Sequence, residues 1–383
     1  MIGYFFQCRY ALLESLRRIR GGEDFSVFIE TLDDVVFETE GKAIELLQTK
    51  HHIKNPTNLT DSSTDLWRTL RIWIEGSRSI PENSKFYIVT TSKAPEGSAA
   101  YYLKPEREKR NIAKAIERLN ATVESSTNQT NIPYYHAFRN LSQRKKELLL
   151  DSIRVLDSVP SITDLNSELQ KEVHFAVNRR FLDGFLWRLE GWWLKRVIDL
   201  LTKKSNDGIS SEEIQIEISN LQEQFKQENL PIDDDILQAT VDKSKFENCI
   251  FIRQLSLINV GGQRIFYAIE DYYRAFTQRS RWVREDLLTV GESGKYERRL
   301  IEHWKVPFAR MLEELEGATE QEKIKVGRNL YGWAAEASIP IRRYVEERFI
   351  TTGSYHMLAD QLRVGWHPEF KQKLRIEPKE ATQ

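Results

Sequence analysis

At Gly21-Gly22 the spacing of the apolar residues changes period. Before that point Tyr4, Tyr10, Leu13 and Leu16 recur at helical spacing, and the glycine pair is a good helix terminator. After it, SVFIETLDDVVFE (26–38) is rich in β-branched and aromatic residues and reads as a strand. Thr39-Glu40-Gly41-Lys42 reads as a turn, and AIELLQTKH (43–51) as a second, antiparallel strand. TDLWRTLRIWIE (64–75) returns to helical spacing with Thr64 or Asp65 as its cap. KFYIVTT (85–91) is a nearly all-apolar strand and 106–119 a charged amphipathic helix. The order helix–strand–strand–helix–strand–helix implies a mixed α/β layer architecture.

From about Leu141 onward helices dominate, in RKKELLLDSIRVLDSV, RFLDGFLWRLEGWWLKRVIDLL and IFYAIEDYYRAFTQRSRWVRE, while 202–247 is polar. A chain of 383 residues exceeds the usual size of one domain. Two are therefore expected, an α/β domain over 1–160 and a mainly α-helical C-terminal domain over 161–383. The net charge of −1 gives no overall basic signature of nucleic-acid binding, although a local basic patch suffices for that purpose. Cys8 and Cys249 are too few for a disulfide framework or a zinc site. The N-terminus lacks the long apolar run of a signal peptide, and no stretch has ~18 consecutive apolar residues. A soluble, cytoplasmic protein with no membrane partner is the expectation.

The chemistry lies on the first two strands. Side chains alternate along a strand, so Gln48 and Lys50 project from one face. An antiparallel partner can bring Asp34 opposite them, because cross-strand neighbours are only ~5 Å apart. A carboxylate and an amide oxygen are hard donors suited to Mg²⁺ (or Mn²⁺), and Glu14 on the first helix can add a further oxygen. Such a metal lowers the pKa of a bound water, while Lys50 orients that water and stabilises charge on a phosphate. LLQTK reads as a core strand, so a lysine in it needs a partner or a function. Asp33 and Glu30 compete with Asp34 for the metal-facing place, since hairpin register is not fixed by one sequence.

The stretch GYFFQCRYALLESL…SVFIETLDDVVFE…IELLQTKHH…DLWRTLRIW…FYIVTTS resembles the double-stranded-DNA nuclease domain of bacterial antiphage effectors. That domain is related to Mrr-type restriction endonucleases, in which glutamine replaces the acid of the PD-(D/E)xK triplet. The resemblance covers roughly residues 3–120. It implies a restriction-endonuclease-like core, with Asp34 as the metal-binding aspartate, Gln48 as the substituted ligand and Lys50 as the catalytic lysine. FLWRLEGWWLKRVIDLL, AIEDYYRAFTQRSRW and YHMLADQLRVGWHPEF resemble the C-terminal domain of ABC three-component defence proteins, of the Lamassu type. The partners implied are double-stranded DNA, an SMC-like ABC ATPase and a small accessory subunit, with homo-oligomers in the active state.

The second half shows no catalytic constellation of its own. Trp187, Trp192 and Trp193 read as core or interface anchors, and Arg274, Arg279, Arg281 and Trp282 as a solvated helix face laced with salt bridges, with contact to DNA phosphate as the alternative. His356 and His367 lack a compact ligand spacing and read as structural. No GxxxxGK[ST] occurs, so this chain is not itself a P-loop ATPase. The resemblance to ABC three-component proteins implies that nucleotide belongs to a partner. The expected function is a metal-dependent DNA endonuclease effector. The alternatives are a degenerate nuclease fold acting as a DNA-binding or assembly adaptor, and an RNase on the same fold.

Overall fold

A computed structural model describes residues 2–31, 33–40, 42–50, 58–76, 84–202, 204, 207–315 and 317–374. The chain forms two compact units, Met1–Leu221 and Gln222–Gln383.

In the first unit the elements run α1 (Ile2–Arg20), β1 (Ser26–Ile29), β2 (Val35–Thr39), β3 (Lys42–Lys50), α2 (Thr64–Gly76), β4 (Lys85–Thr90) and α3 (Ala99–Tyr102). They continue with α4 (Ile112–Ser125), α5 (Ile132–Arg139), α6 (Gln143–Ser152), β5 (Ile153–Leu156), α7 (Leu165–Val173), α8 (Leu182–Leu201), β6 (Ile209–Ser210) and α9 (Ser211–Gln224). The sheet order is β5-β4-β3-β2-β1-β6. β1 to β3 form an antiparallel meander, whereas β3, β4 and β5 are parallel and are joined by helical crossovers. The expectation of mixed α/β layers followed by helices therefore holds.

Three details differ from the sequence reading. Residues 26–38 are two strands, β1 and β2, paired Val27 to Phe37 and Ile29 to Val35. The break comes at Glu30, which adopts a left-handed φ of 55°, with its N–H donating to the Asp34 carbonyl at 3.1 Å. Residues 153–156 leave the helix and add β5 beside β4, because alternating Ile153 and Val155 fill the sheet's core face. The charged helix starts at Ile112, where the Asn111 side chain accepts the Lys114 N–H at 3.0 Å, rather than near 106. His51, the last residue of the expected second strand, lies outside the described residues.

Alternation splits the sheet's apolar residues between two faces. Val36, Leu46, Phe86, Ile88, Ile153 and Val155 face a core built with Trp67, Leu70 and Trp73 of α2 and Leu119 of α4. Val35, Phe37, Leu47 and Val89 project the other way. α1 and α8 pack against β1, and Trp193 on α8 donates to the Cys8 carbonyl at 2.9 Å. α7 packs on α1 and β6 lengthens the sheet beyond β1. These contacts hold residues past 160 in the first unit, so the compact units divide at Leu221/Gln222 rather than near residue 160.

The second unit comprises α10 (Asp234–Leu237), α11 (Ile250–Leu257), α12 (Gly262–Arg284), α13 (Glu292–Glu313), α14 (Glu320–Glu336), α15 (Arg348–Asp360) and α16 (Phe370–Leu374). α12 and α15 lie in close contact at Gly353, where any Cβ would stand 2.0 Å from the Asp271 carbonyl oxygen. Buried Gln254 ties α11 to the segment after α15, donating to the carbonyls of Ala359 and Val364 at 2.7 and 3.0 Å. Among the described residues no helix is long and apolar enough to cross a membrane.

Candidate active site

The site is built on the turn between β1 and β2. Asp33 and Asp34 end that turn, and their carboxylates go separate ways. Asp33 is buried, with one oxygen accepting the Asp34 N–H at 2.9 Å and the other the Trp73 indole N–H at 2.6 Å. Burial pushes its carboxyl up to about 6, even though both hydrogen bonds and the nearby Lys50 charge favour the ionised form. Asp34 turns outward, and its Oδ2 accepts the Thr49 N–H at 2.7 Å and the Thr49 hydroxyl at 2.9 Å. Its backbone carbonyl accepts from the side-chain amide of Gln7 on α1.

β3 supplies the rest. Val35 pairs with Leu47, so one further step in the same register sets Asp34 opposite Gln48. Gln48 and Lys50 share the strand face of Leu46, under α2, while Thr49 points to the other face and meets Asp34 at the sheet's end. Gln48 is only 5 % exposed and Lys50 half-buried. Asp34, Gln48, Thr49 and Lys50 line one open pocket, completed by Gly3 and Gln7 of α1 and by Arg68 and Ile72 of α2.

The three residues singled out on the strands are thus brought together. Of Asp34's two competitors, Asp33 is engaged with Trp73, and Glu30 is exposed and does not line the pocket. Glu14 is corrected. It bonds to Arg17 at 2.9 Å and Arg18 at 3.2 Å and lines a separate hollow with Glu45 and Tyr87. It lies two helical turns beyond Gln7, roughly 10 Å along α1, and two guanidiniums already neutralise it. Gln7 is the α1 side chain at the site. Its signal was a polar residue in an apolar helical run, YFFQCRYALL, where it is 4 % exposed. Arg68 was readable as well, since Leu66, Trp67, Leu70 and Trp73 form the buried face of α2 and leave positions 68 and 72 off it.

Among the described residues no three His, Cys, Asp or Glu side chains converge on a metal position. The pocket offers instead one carboxylate and one amide oxygen, hard donors that fit a divalent cation retaining most of its water ligands. Lys50 and Arg68 outnumber Asp34 among the charged lining residues, which suits an anionic substrate.

The other residues noted in the sequence take structural places. Trp193 is buried, whereas Trp187 is 58 % exposed. Arg279 bonds to Glu297 and Ser354, Arg281 to Asp235, and Trp282 to the Pro231 carbonyl, so the salt bridges are present, but Arg279 and Trp282 are buried rather than on a solvated face. His356 and His367 are buried, and burial lowers the pKa of each, that of His356 to about 3.

Residues 251–374 match the family model of C-terminal domain 7 of the ABC-three component (ABC-3C) systems. The C-terminal region is thus similar to an ABC-3C C-terminal domain. This supports a component of an antiphage ABC-3C system, one that works with partner subunits, in agreement with the ABC three-component resemblance of AIEDYYRAFTQRSRW and YHMLADQLRVGWHPEF. No curated protein matches the chain. Among solved structures, the Acinetobacter baumannii Cap4 SAVED/CARF-domain containing receptor with the cyclic trinucleotide 3'3'3'-cAAA is similar over 73% of this chain and 70% of its own, at 17% identity and a TM-score of 0.36. Another structure of that receptor is similar over 73% and 69%, at 15% identity and a TM-score of 0.35. Superpositions this loose carry no inference about fold or chemistry.

Proposed function

We propose that this chain is a metal-dependent DNA endonuclease, the effector of a Lamassu-type ABC-3C complex. One observation carries the reading: Asp34, Gln48 and Lys50, separated in sequence by a strand and a turn, line the same pocket at the end of a mixed sheet. That agrees with a restriction-endonuclease-like core over the N-terminal region. Asp34 and Gln48 would hold Mg²⁺ or Mn²⁺. When bound, the ion supplies a water of lowered pKa and neutralises charge on the phosphate. The chain's own residues do the rest. Thr49 fixes the Asp34 carboxylate and Gln7 fixes its backbone, so the donor set is held before substrate arrives. Lys50 orients the attacking water and balances the charge that develops at phosphorus.

In this reading the helical C-terminal domain serves assembly and regulation. It holds the nuclease inactive with an SMC-like ATPase and an accessory subunit until release or oligomerisation. Purified chain with Mg²⁺ or Mn²⁺ should nick duplex DNA faster than single-stranded DNA or RNA, and Lys50→Ala should abolish this with the fold intact. Preferential cleavage of RNA would make the enzyme an RNase.

The single carboxylate in the pocket, already holding Thr49, favours a second reading, a catalytically degenerate fold that binds DNA or subunits. That adaptor predicts DNA binding without metal-dependent cleavage, and complex assembly indifferent to Asp34 and Lys50.

A further inference from the structure

α2 sets Arg68 and Ile72, one helical turn apart, on the rim of the pocket. The rest of this helix is anchored, because Leu66, Trp67, Leu70 and Trp73 are buried in the core. Trp73 also bonds Asp33, the residue beside Asp34. Arg68 therefore stands on a support tied to the same turn that presents the Asp34 carboxylate.

Unlike most arginines of its unit, Arg68 has nothing to hold, and among the unpaired ones it is the one that lines the pocket. Arg9 pairs with Glu190, Arg18 with Glu45, Arg71 with Glu75 and Arg118 with Asp61. Arg110 donates to main-chain carbonyls. Arg68 is exposed, and among the described residues it makes neither an ion pair nor a hydrogen bond. A guanidinium has paired N–H donors that match two oxygens of one phosphate, and it is less strongly hydrated than an ammonium.

We infer that Arg68 grips a backbone phosphate of the nucleic acid and positions the strand over Lys50. This rests on the nuclease reading and gives it a substrate contact, a phosphodiester recognised by charge and shape rather than by base. Contacts of this kind set register without reading sequence. Arg68 thus governs how tightly the polynucleotide is held, and Lys50 how fast it is cut.

The test uses the full chain in a Lys50→Ala background, so that binding is read without cleavage. Affinity for a labelled duplex is measured across a salt series, on two unrelated sequences, with and without Arg68→Ala. Losing one phosphate contact should weaken binding roughly ten- to hundredfold on both sequences. It should also reduce the slope of log affinity against log salt by about 0.9. In the cleavage-competent chain, Arg68→Ala should raise KM by a similar factor with little change in kcat, and Arg68→Lys should recover part of the loss because it keeps the charge but not the paired donors. Unchanged affinity and salt slope in Arg68→Ala overturn the inference and leave the nuclease reading intact. Undiminished cleavage by Lys50→Ala sinks the nuclease reading instead, while the salt slope still decides whether Arg68 holds phosphate.

Discussion

Trp73→Phe isolates the bond that organises the site from behind. Phenylalanine keeps a ring against Phe86, whose centroid lies 4.9 Å from that of Trp73, but removes the indole N–H that Asp33 accepts at 2.6 Å. A hydrogen bond to a buried charged group contributes about 1.5–3 kcal/mol. The smaller ring should cost about 1 kcal/mol more through the space it leaves. The two parts separate by pH. The folded pKa of Asp33, about 6, lies above its ordinary value, so its contribution to stability is present at low pH and is lost as pH rises through about 6. Without the indole the folded pKa climbs further, and the ionised form is penalised more. Urea unfolding of the full chain should therefore show a small deficit at pH 4.5, from packing alone, and one larger by about 1.5–3 kcal/mol at pH 8. Equal deficits at the two pH values would refute a charge-assisted bond between Asp33 and Trp73.

Other consequences are open to similar measurement. Gln7→Leu removes the donor to the Asp34 carbonyl. It should cost only about 1 kcal/mol in urea unfolding yet reduce cleavage at least tenfold, and unaltered cleavage contradicts a positioning role for Gln7. His356 is buried with its Nδ1 unpartnered and its pKa depressed to about 3, so stability is lost as pH falls below about 6.5. The loss should reach about 2 kcal/mol between pH 7 and pH 5, and His356→Leu should flatten that slope, with an unaltered slope counting against it. Gly353→Ala should destabilise by about 1–3 kcal/mol or more, because its Cβ would stand 2.0 Å from the Asp271 carbonyl oxygen. A near-native unfolding midpoint contradicts that packing.

The parts of the site that obey local periodicity were legible in the sequence. Gln48 and Lys50 share a strand face because the period is two, and the antiparallel partner follows from the short turn between the strands. The split of 26–38 was not, because ETLDD contains neither glycine nor proline and its turn depends on Glu30 accepting a left-handed backbone. Ile153–Leu156 misled for a related reason. Apolar spacing continues unbroken from LLL into IRVL, and only pairing with β4 turns that run into a strand. The mutual placement of Asp33 and Trp73, like that of Gln7 and Asp34, is set by tertiary packing, which no spacing rule encodes. The long reach of the first unit to Leu221 likewise comes from α7 and α8 docking on α1 and from β6 joining β1, contacts between segments far apart in the chain.

Chromosomal DNA integrity in cells that express the chain without its partner subunits addresses the nuclease itself, free of restraint by a complex. Wild-type expression should degrade cellular DNA and arrest growth, whereas Lys50→Ala, accumulating to the same level, should leave DNA intact. Equal DNA loss with Lys50→Ala, or intact DNA with the wild type, would contradict a nuclease built on Asp34, Gln48 and Lys50.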